Sequence, residues 1–401
     1  MKNLLKFTLV GIVLASPVIS GGWEASRLDT SMMYNDGAYA EVGSSSITYD
    51  VNGTSQASVK HKMAKNQTRT AIGFKQQFGD FDVGLSNYMS GAIQLDGQAT
   101  AATLTSVGCD PTVTTAAANV AQIGYCSVVP SADVEARSTA LMARYRLNEN
   151  MSFLGGLNRY SVSDATVTTL AAHYEVSGDE MAPVAGAAYE NKEIALRVEL
   201  LVQLETDMAL SAKSSVSSLV PTTAVTGAKM VIPQTMTLNF QSGIAEDTLL
   251  FGSVHKADWD TAQITIPANT AGVNPTTGAL DQAVSDVGSS FSSRTAYSLG
   301  VGRRITDDIS VLGSYSSEDG GGATSNDPFT LTDGSQTLGL GARYTKDNMT
   351  ISGGFSYTKV GDVAVTHLAP PPAPAGTPSG LTATYADNKV TGFGLKIGFS
   401  F

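Results

Sequence analysis

Four histidines, His61, His173, His255 and His367, and two cysteines, Cys109 and Cys126, are the side chains in this sequence best able to hold a metal or relay a proton. A zinc or other transition-metal site needs several such groups at ligand spacing. His255 alone has carboxylates close by, Asp258 and Asp260, and a solvated strand end accounts for that run without a metal. A hydrolase would need a nucleophile beside a positioned base, and no recognisable motif surrounds His173 or His255. The run SEDGGG at Ser317 to Gly322 has the composition of a calcium loop but lacks its ordered ligand spacing. The expectation is a chain that is not an enzyme and has neither a metal site nor a cofactor.

The cysteines suggest structure instead. Two in 401 residues exclude a disulfide-rich scaffold, yet an even pair in an exported chain is the pattern of a single bridge. Cys109 and Cys126 flank part of the long Thr/Ala-rich stretch Asp96 to Asp133, and a bond between them would close a loop of about sixteen intervening residues, stabilising by about 3 kcal/mol through chain entropy.

Export is read from the first twenty residues. Lys2 and Lys6 precede the apolar run Phe7 to Ala15, and small residues stand at the cleavage positions before Gly21, which is the form of a secretory signal peptide. Nowhere later do about 18 consecutive apolar residues occur, so a membrane-spanning reading requires strands rather than helices. Mean hydropathy of +0.02, with 40 glycines and 15% charged residues, suits strands wet on one face. A net charge of −11 argues against a nucleic-acid partner, which calls for a basic surface.

The elements follow from a two-residue period. The final stretch KVTGFGLKIGFSF, Lys389 to Phe401, sets Phe393, Leu395, Ile397, Phe399 and Phe401 against glycines, Lys396 and Ser400. In an outer-membrane barrel such an apolar row faces lipid and the small polar row faces the lumen. Gly21 to Gly37 has no clean period and reads as a short plug segment inside or below the barrel. Ala38 to Val51 is the first strand, with Ile47, Tyr49 and Val51 setting the lipid face, and Thr68 to Phe78 is the second. After the Gly79-Asp80 turn, the third strand carries Phe81, Val83, Leu85, Met89, Ile93 and Leu95 in one row. Asn87 falls in that row, and an amide facing hydrocarbon is costly, so the strand either bulges there or borders an opening in the wall.

Further strands run over Glu135 to Leu147, Met151 to Ser163 and Met181 to Tyr189, and then from Ile194, where Arg197, Glu199 and Glu205 share the face opposite an aliphatic row. Thr206 to Val231 reads as a loop, and a strand from Thr248 climbs past Trp259 to Ile266. The pattern continues to the end as short turns alternating with long loops, the asymmetry of outer-membrane barrels. The fold class is therefore all-β, a transmembrane antiparallel β-barrel of about 14 strands, organised as signal peptide 1–20, plug 21–37 and barrel 38–401.

Pro233 to Ile266, with a Pro-initiated strand, a short turn and a strand ending in Trp259, resembles the FadL/TodX family of outer-membrane transporters for hydrophobic compounds. Arg294 to Val311 and Gly334 to Tyr357 resemble the C-terminal half of the same family. The resemblance implies a fourteen-stranded barrel with an N-terminal plug, passing fatty acids or aromatic hydrocarbons through an opening beside a kinked third strand, the strand that carries Asn87. It also implies ligand contacts in two outer loops, at Leu170 and Tyr174 and at Leu210, Leu219 and Val220. The family's Asn-Pro-Ala plug motif is absent, because Gly21 to Gly37 contains no proline. The expected partners are a hydrophobic small molecule, outer-membrane lipid and the barrel assembly machinery, the expected state is a monomer, and the alternatives are a surface-recognition barrel and a general porin.

Overall fold

A computed structural model describes residues 22–55, 60–96, 131–168, 173–215, 223–267, 272–273, 280–281, 287–322, 324–325, 329–367 and 381–401. The signal-peptide reading and both cysteines lie outside these residues, as do Leu170, Leu219 and Val220.

Fourteen strands form a closed antiparallel barrel in which each pairs with its neighbours in sequence and the last returns to the first. They are β1 (Tyr39–Asp50), β2 (Gln67–Phe78), β3 (Phe81–Asp96), β4 (Ser131–Arg146), β5 (Met151–Thr168), β6 (His173–Asn191), β7 (Leu196–Gln203), β8 (Thr235–Ala245), β9 (Thr248–Ala257), β10 (Arg294–Arg304), β11 (Ile309–Glu318), β12 (Ser335–Lys346), β13 (Met349–Val360) and β14 (Lys389–Ser400). The seam runs from Tyr39 opposite Ser400 to Asp50 opposite Lys389. Closure leaves neither the first nor the last strand as a free edge.

Alternation decides which way the side chains point. Phe74, Leu85, Leu141, Phe153, Leu299, Leu340, Phe355 and Phe393 are exposed on the outer face, a belt suited to hydrocarbon. Among the described residues no helix is long and apolar enough to cross a membrane. Tight turns close one end, where Asp247 and Asp347 adopt left-handed backbone (φ 55° and 52°). The other end carries the long connections.

Those connections are partly folded. The stretch Thr206 to Val231, expected to be a loop, contains four short strands. Two of these join 264–266 and 287–288 in a four-stranded sheet, and the other two extend the edge of β6. The expected loop Asp164 to Glu180 is mostly strand, since β5 and β6 run on to Thr168 and from His173. A five-stranded sheet from 52–55, 60–62, 324–325, 363–367 and 381–385 lies at the same end.

Buried apolar residues of these outer sheets, such as Met208, Met230, Val365 and Tyr385, form one cluster with lumen-facing residues of the barrel. This cluster overturns the outward row assigned to β1. Ile47, Tyr49 and Val51 are buried in it, and Val42, Ser44, Ser46 and Thr48 face out. The lumen is apolar at the loop end, so apolar character there marks the inner face as readily as the outer one.

The third strand departs from its expected register for a different reason. It bulges, but at Ser90 rather than Asn87, because Met89 pairs with Arg137 while Gly91 pairs with Ala136. One inserted residue reverses the faces beyond it. Ile93 and Leu95 consequently point inward and are buried, although Phe81, Val83 and Leu85 face out as expected. Finally, β9 stops at Ala257, and Trp259 folds into the buried cluster instead of continuing the strand.

Candidate functional site

Residues Gly22 to Gly37 run through the lumen, and each half is held by different chemistry. At the turn end the holding groups are ionic. Glu199, buried on β7, accepts hydrogen bonds from Thr30 Oγ1 at 2.7 Å, Tyr34 O–H at 2.5 Å and Asn239 Nδ2 at 2.9 Å. The guanidinium groups of Arg144 and Arg197 lie 4.0 and 4.1 Å from the centre of the Tyr34 ring, cation–π distances. Lys75, fully buried, is 2.6 Å from Asp82 and donates to the carbonyl oxygens of Asn35 and Gly37 at 2.5 and 3.0 Å. Lys396 stands 3.5 Å from Asp29 and 3.2 Å from Glu41. Below this layer a cavity of about 680 Å³ opens at the mouth, walled in part by Arg144, Arg146 and Glu190.

Above it, methionines pack the middle of the lumen. Met32 and Met33 are buried against Tyr39, Tyr88 and Met142. The facing strands make room by having glycine: a Cβ at Gly84 would overlap the Met33 sulfur.

At the loop end the plug is aromatic. Trp23 meets Tyr160 edge-on at 5.8 Å and Trp259 at 5.4 Å, and Trp259 meets Phe291 at 5.7 Å, the spacing at which aromatic rings attract. Beside them a cavity of about 40 Å³ remains, lined also by Gln203 and His255. That space fits two or three waters at roughly 15 Å³ each. The indole of Trp23 thus fills most of the site.

His255 is buried here rather than solvated, with Nδ1 2.7 Å from Thr237 Oγ1 and Nε2 3.4 Å from Glu24. Burial by itself would raise the pKa of Glu24, but the facing His255 and Arg27 outweigh it and hold the carboxyl at about 2. Asp258 pairs with Lys256 instead, at 2.7 Å. Among the described residues no group of three or more His, Cys, Asp and Glu side chains could hold a metal.

Beside Trp23 the wall itself is interrupted. The β2–β3 ladder extends from Phe78 opposite Phe81 only as far as Ala71 opposite Tyr88, whereas β2 stays paired to β1 up to Gln67. Contact between the two sides resumes at the Ala64–Leu95 bridge. The Ser90 bulge lies in the gap. Behind it the plug pairs with β3 from within: Ala25 N–H donates to Ser90 O at 2.8 Å, and Ala92 N–H to Trp23 O at 2.8 Å. Arg69 donates to the Ala25 carbonyl and to Tyr49 Oη at 3.0 Å. Gly91 is required at this point, since a Cβ there would overlap the Trp23 ring.

Of the ligand contacts expected from the sequence, Tyr174 is fully buried and Leu210 packs against the same cluster. Asn87 sits just below the bulge, hydrogen-bonded to Arg137 and Thr139. Trp23, Gln203 and Arg69 escaped the sequence reading, and His255 entered it only as a solvated strand end. Gln203 shares the face of Arg197, Glu199 and Glu205 by two-residue spacing, whereas Trp23 lies in a segment without period and gave no signal.

The class is now defined: a closed fourteen-stranded barrel, filled by an N-terminal segment and interrupted between its second and third strands. Solved structures share the fold. A Pseudomonas aeruginosa FadL homologue superposes with a TM-score of 0.64 at 12% identity, over 97% of this chain and 96% of that one. The Pseudomonas putida toluene transporter TodX gives 0.58 at 11% identity over 92% and 91%, and the Ralstonia pickettii toluene transporter TbuX gives 0.58 at 10% over 100% of both chains. No protein-family model matches the sequence, nor does any curated protein.

Proposed function

We propose that the protein is an outer-membrane channel that admits hydrophobic small molecules by diffusion, without catalysis or cofactor, and releases them sideways through the gap between β2 and β3. The observation that carries this reading is the juxtaposition of that gap with the aromatic site occupied by Trp23. A solute that displaces the indole lies directly behind an unpaired section of wall. Leaving there spares it a water-filled route on which hydration of apolar surface costs roughly 25 cal/mol per Å². Two of the structures with this fold are described as toluene transporters, which supports aromatic hydrocarbons beside long-chain fatty acids as solutes. The buried cluster and the plug fill the lumen, an arrangement that does not favour a general porin.

The test is uptake of a labelled long-chain fatty acid and a labelled aromatic hydrocarbon by cells lacking the protein, then by cells restored with wild type or with Thr70→Trp, which places a bulky ring on the outer side of the gap. Uptake should fall in the deletion strain, recover with wild type and recover only in part with Thr70→Trp. Equal uptake with and without the protein would reject transport of these solutes. Full recovery with Thr70→Trp would reject the sideways route.

A further inference from the structure

Arg137 lies on β4, one strand beyond the gap, yet its guanidinium spans it. Nη2 donates to Asn87 Oδ1 on β3 at 2.7 Å and reaches the Thr70 carbonyl oxygen on β2 at 3.4 Å, with Nε also directed at Asn87 at 3.3 Å. Asn87 is itself fixed by donating from Nδ2 to Thr139 Oγ1 at 2.9 Å. Thr70 is the first residue of β2 beyond the last β2–β3 pair. One side chain therefore ties three strands together on the outer face, at the point where the backbone ladder fails.

The surface around this tie is unusual for a lipid-facing wall. Ser44, Ser46, Thr48, Thr68 and Thr70 are all exposed on the outer rows of β1 and β2. Ser46 and Ser44 pair with Phe393 and Leu395 of β14, which are exposed as part of the apolar belt. Hydroxyl groups thus replace hydrocarbon at the same level, on the side of the seam next to the gap. A guanidinium swung off Thr70, and the carbonyl it uncovers, would meet these hydroxyl groups instead of bare lipid tails.

We propose that Arg137 is the outer bolt of the wall opening and selects what passes it. This rests on the sideways route argued above. A solute with an anionic head, such as a carboxylate, offers the guanidinium a full opposite charge and two parallel N–H···O bonds in place of single bonds to the neutral oxygens of Asn87 and Thr70, and so draws the bolt. A bare hydrocarbon offers nothing in exchange and passes only when the bolt opens by itself. Arg137 then favours amphiphilic acids over hydrocarbons of similar size.

Two measurements test this in the full-length protein, using Arg137→Ala, Arg137→Lys and Asn87→Ala. The first is hydrogen exchange of the purified barrel over residues 66–71 and 88–93. Exchange there should be about tenfold faster in Arg137→Ala and Asn87→Ala, the size expected for loss of a hydrogen bond to a charged group, with the β10–β13 wall unchanged. The second is the ratio of fatty-acid to aromatic-hydrocarbon uptake in cells, which should drop several-fold in Arg137→Ala as hydrocarbon entry rises, and less in Arg137→Lys, which keeps the charge. Unchanged exchange in both Arg137→Ala and Asn87→Ala overturns the bolt. Faster exchange with an unchanged ratio overturns the selectivity. Faster exchange in a protein whose wild type gives no uptake above the deletion strain upholds the bolt while rejecting the transport reading itself.

Discussion

Glu199 is the carboxylate on which the turn-end half of the plug hangs. Replacing it with alanine strands the Thr30 and Tyr34 hydroxyl groups, at about 1–3 kcal/mol for each buried donor left without a partner. The plug should loosen while the barrel persists. Expected in Glu199→Ala are faster protease cleavage between residues 22 and 37 and higher conductance in planar bilayers, with unchanged β-sheet circular dichroism. Lys75 and Asp82 are more tightly linked to the wall, both fully buried and 2.6 Å apart. Asp82→Ala takes the buried counter-ion from Lys75 and leaves it only the Asn35 and Gly37 carbonyls, a loss of about 3–5 kcal/mol, and should lower the thermal midpoint of the whole barrel.

Acid should release the plug through its own carboxylates. Despite burial, Glu24 is held at about 2 by His255 and Arg27. Asp29 is likewise lowered, with Lys396 and the Ser31 N–H outweighing its desolvation. A carboxyl whose pKa falls on docking stabilises the docked state above its free value, and that stability is lost as pH drops towards the docked value. For Glu24 the window runs from its ordinary 4.5 down to about 2. Tryptophan emission should therefore stay constant from pH 8 to about 6.5, below which the cost of burying His255 as a cation begins to oppose docking. It should shift red chiefly below about 4.5, because Trp23 and Trp259 are buried together. A red shift already complete at pH 6 would assign docking to other groups.

At the scale of elements, the hairpins were the most legible part of the sequence. Gly79-Asp80 and Lys346-Asp347-Asn348 set their registers locally, and the strands they join begin and end within a residue or two of expectation. The outer row of β14, with Phe393, Leu395 and Phe399 exposed, was legible just as locally, from its two-residue period. The upper half of β1 was not, because its inner row packs against an apolar lumen assembled from distant loops. The bulge was only half legible: the polar Asn87 marked the irregularity, but Ser90, small and equally at home on either face, did not reveal where the extra residue sits.

Deleting Ser90 tests that element directly. It should leave the existing β3–β4 pairs in place, with Met89 opposite Arg137 running straight into Gly91 opposite Ala136 and Ile93 still inward opposite Val134, while it straightens the strand and removes the Ser90 carbonyl that receives Ala25 N–H. Uptake should be lost even where the shortened barrel still assembles. Gly91→Ala is the milder counterpart, displacing Trp23 without moving the register, and should redden tryptophan emission at neutral pH.

The molecule as a whole depends on its seam. Twelve residue pairs join β1 to β14, and unfolding cannot start at a free edge while they hold. Unheated protein should consequently migrate faster than boiled protein on a denaturing gel, and truncation before Lys389 should abolish that difference. Most of the ligand contacts expected from the sequence depend on long connections at the loop end, where strand periodicity gives no guidance. Tyr174 and Leu210 reach the buried cluster only because the outer strands fold back over the barrel.

The plug enters at the end where the seam finishes: Phe401 N–H donates to the Ala38 carbonyl at 2.9 Å, and the segment climbs from there to Trp23. It behaves as a rod slid into a sleeve through an open mouth, so it never has to thread past a closed loop or await the seam. Folding of the sleeve and insertion of the rod are then separable reactions. A barrel refolded without residues 22–37 should bind a synthetic 22–37 peptide added afterwards, recovering the tryptophan environment of the intact chain, and a peptide carrying Tyr34→Phe should bind more weakly.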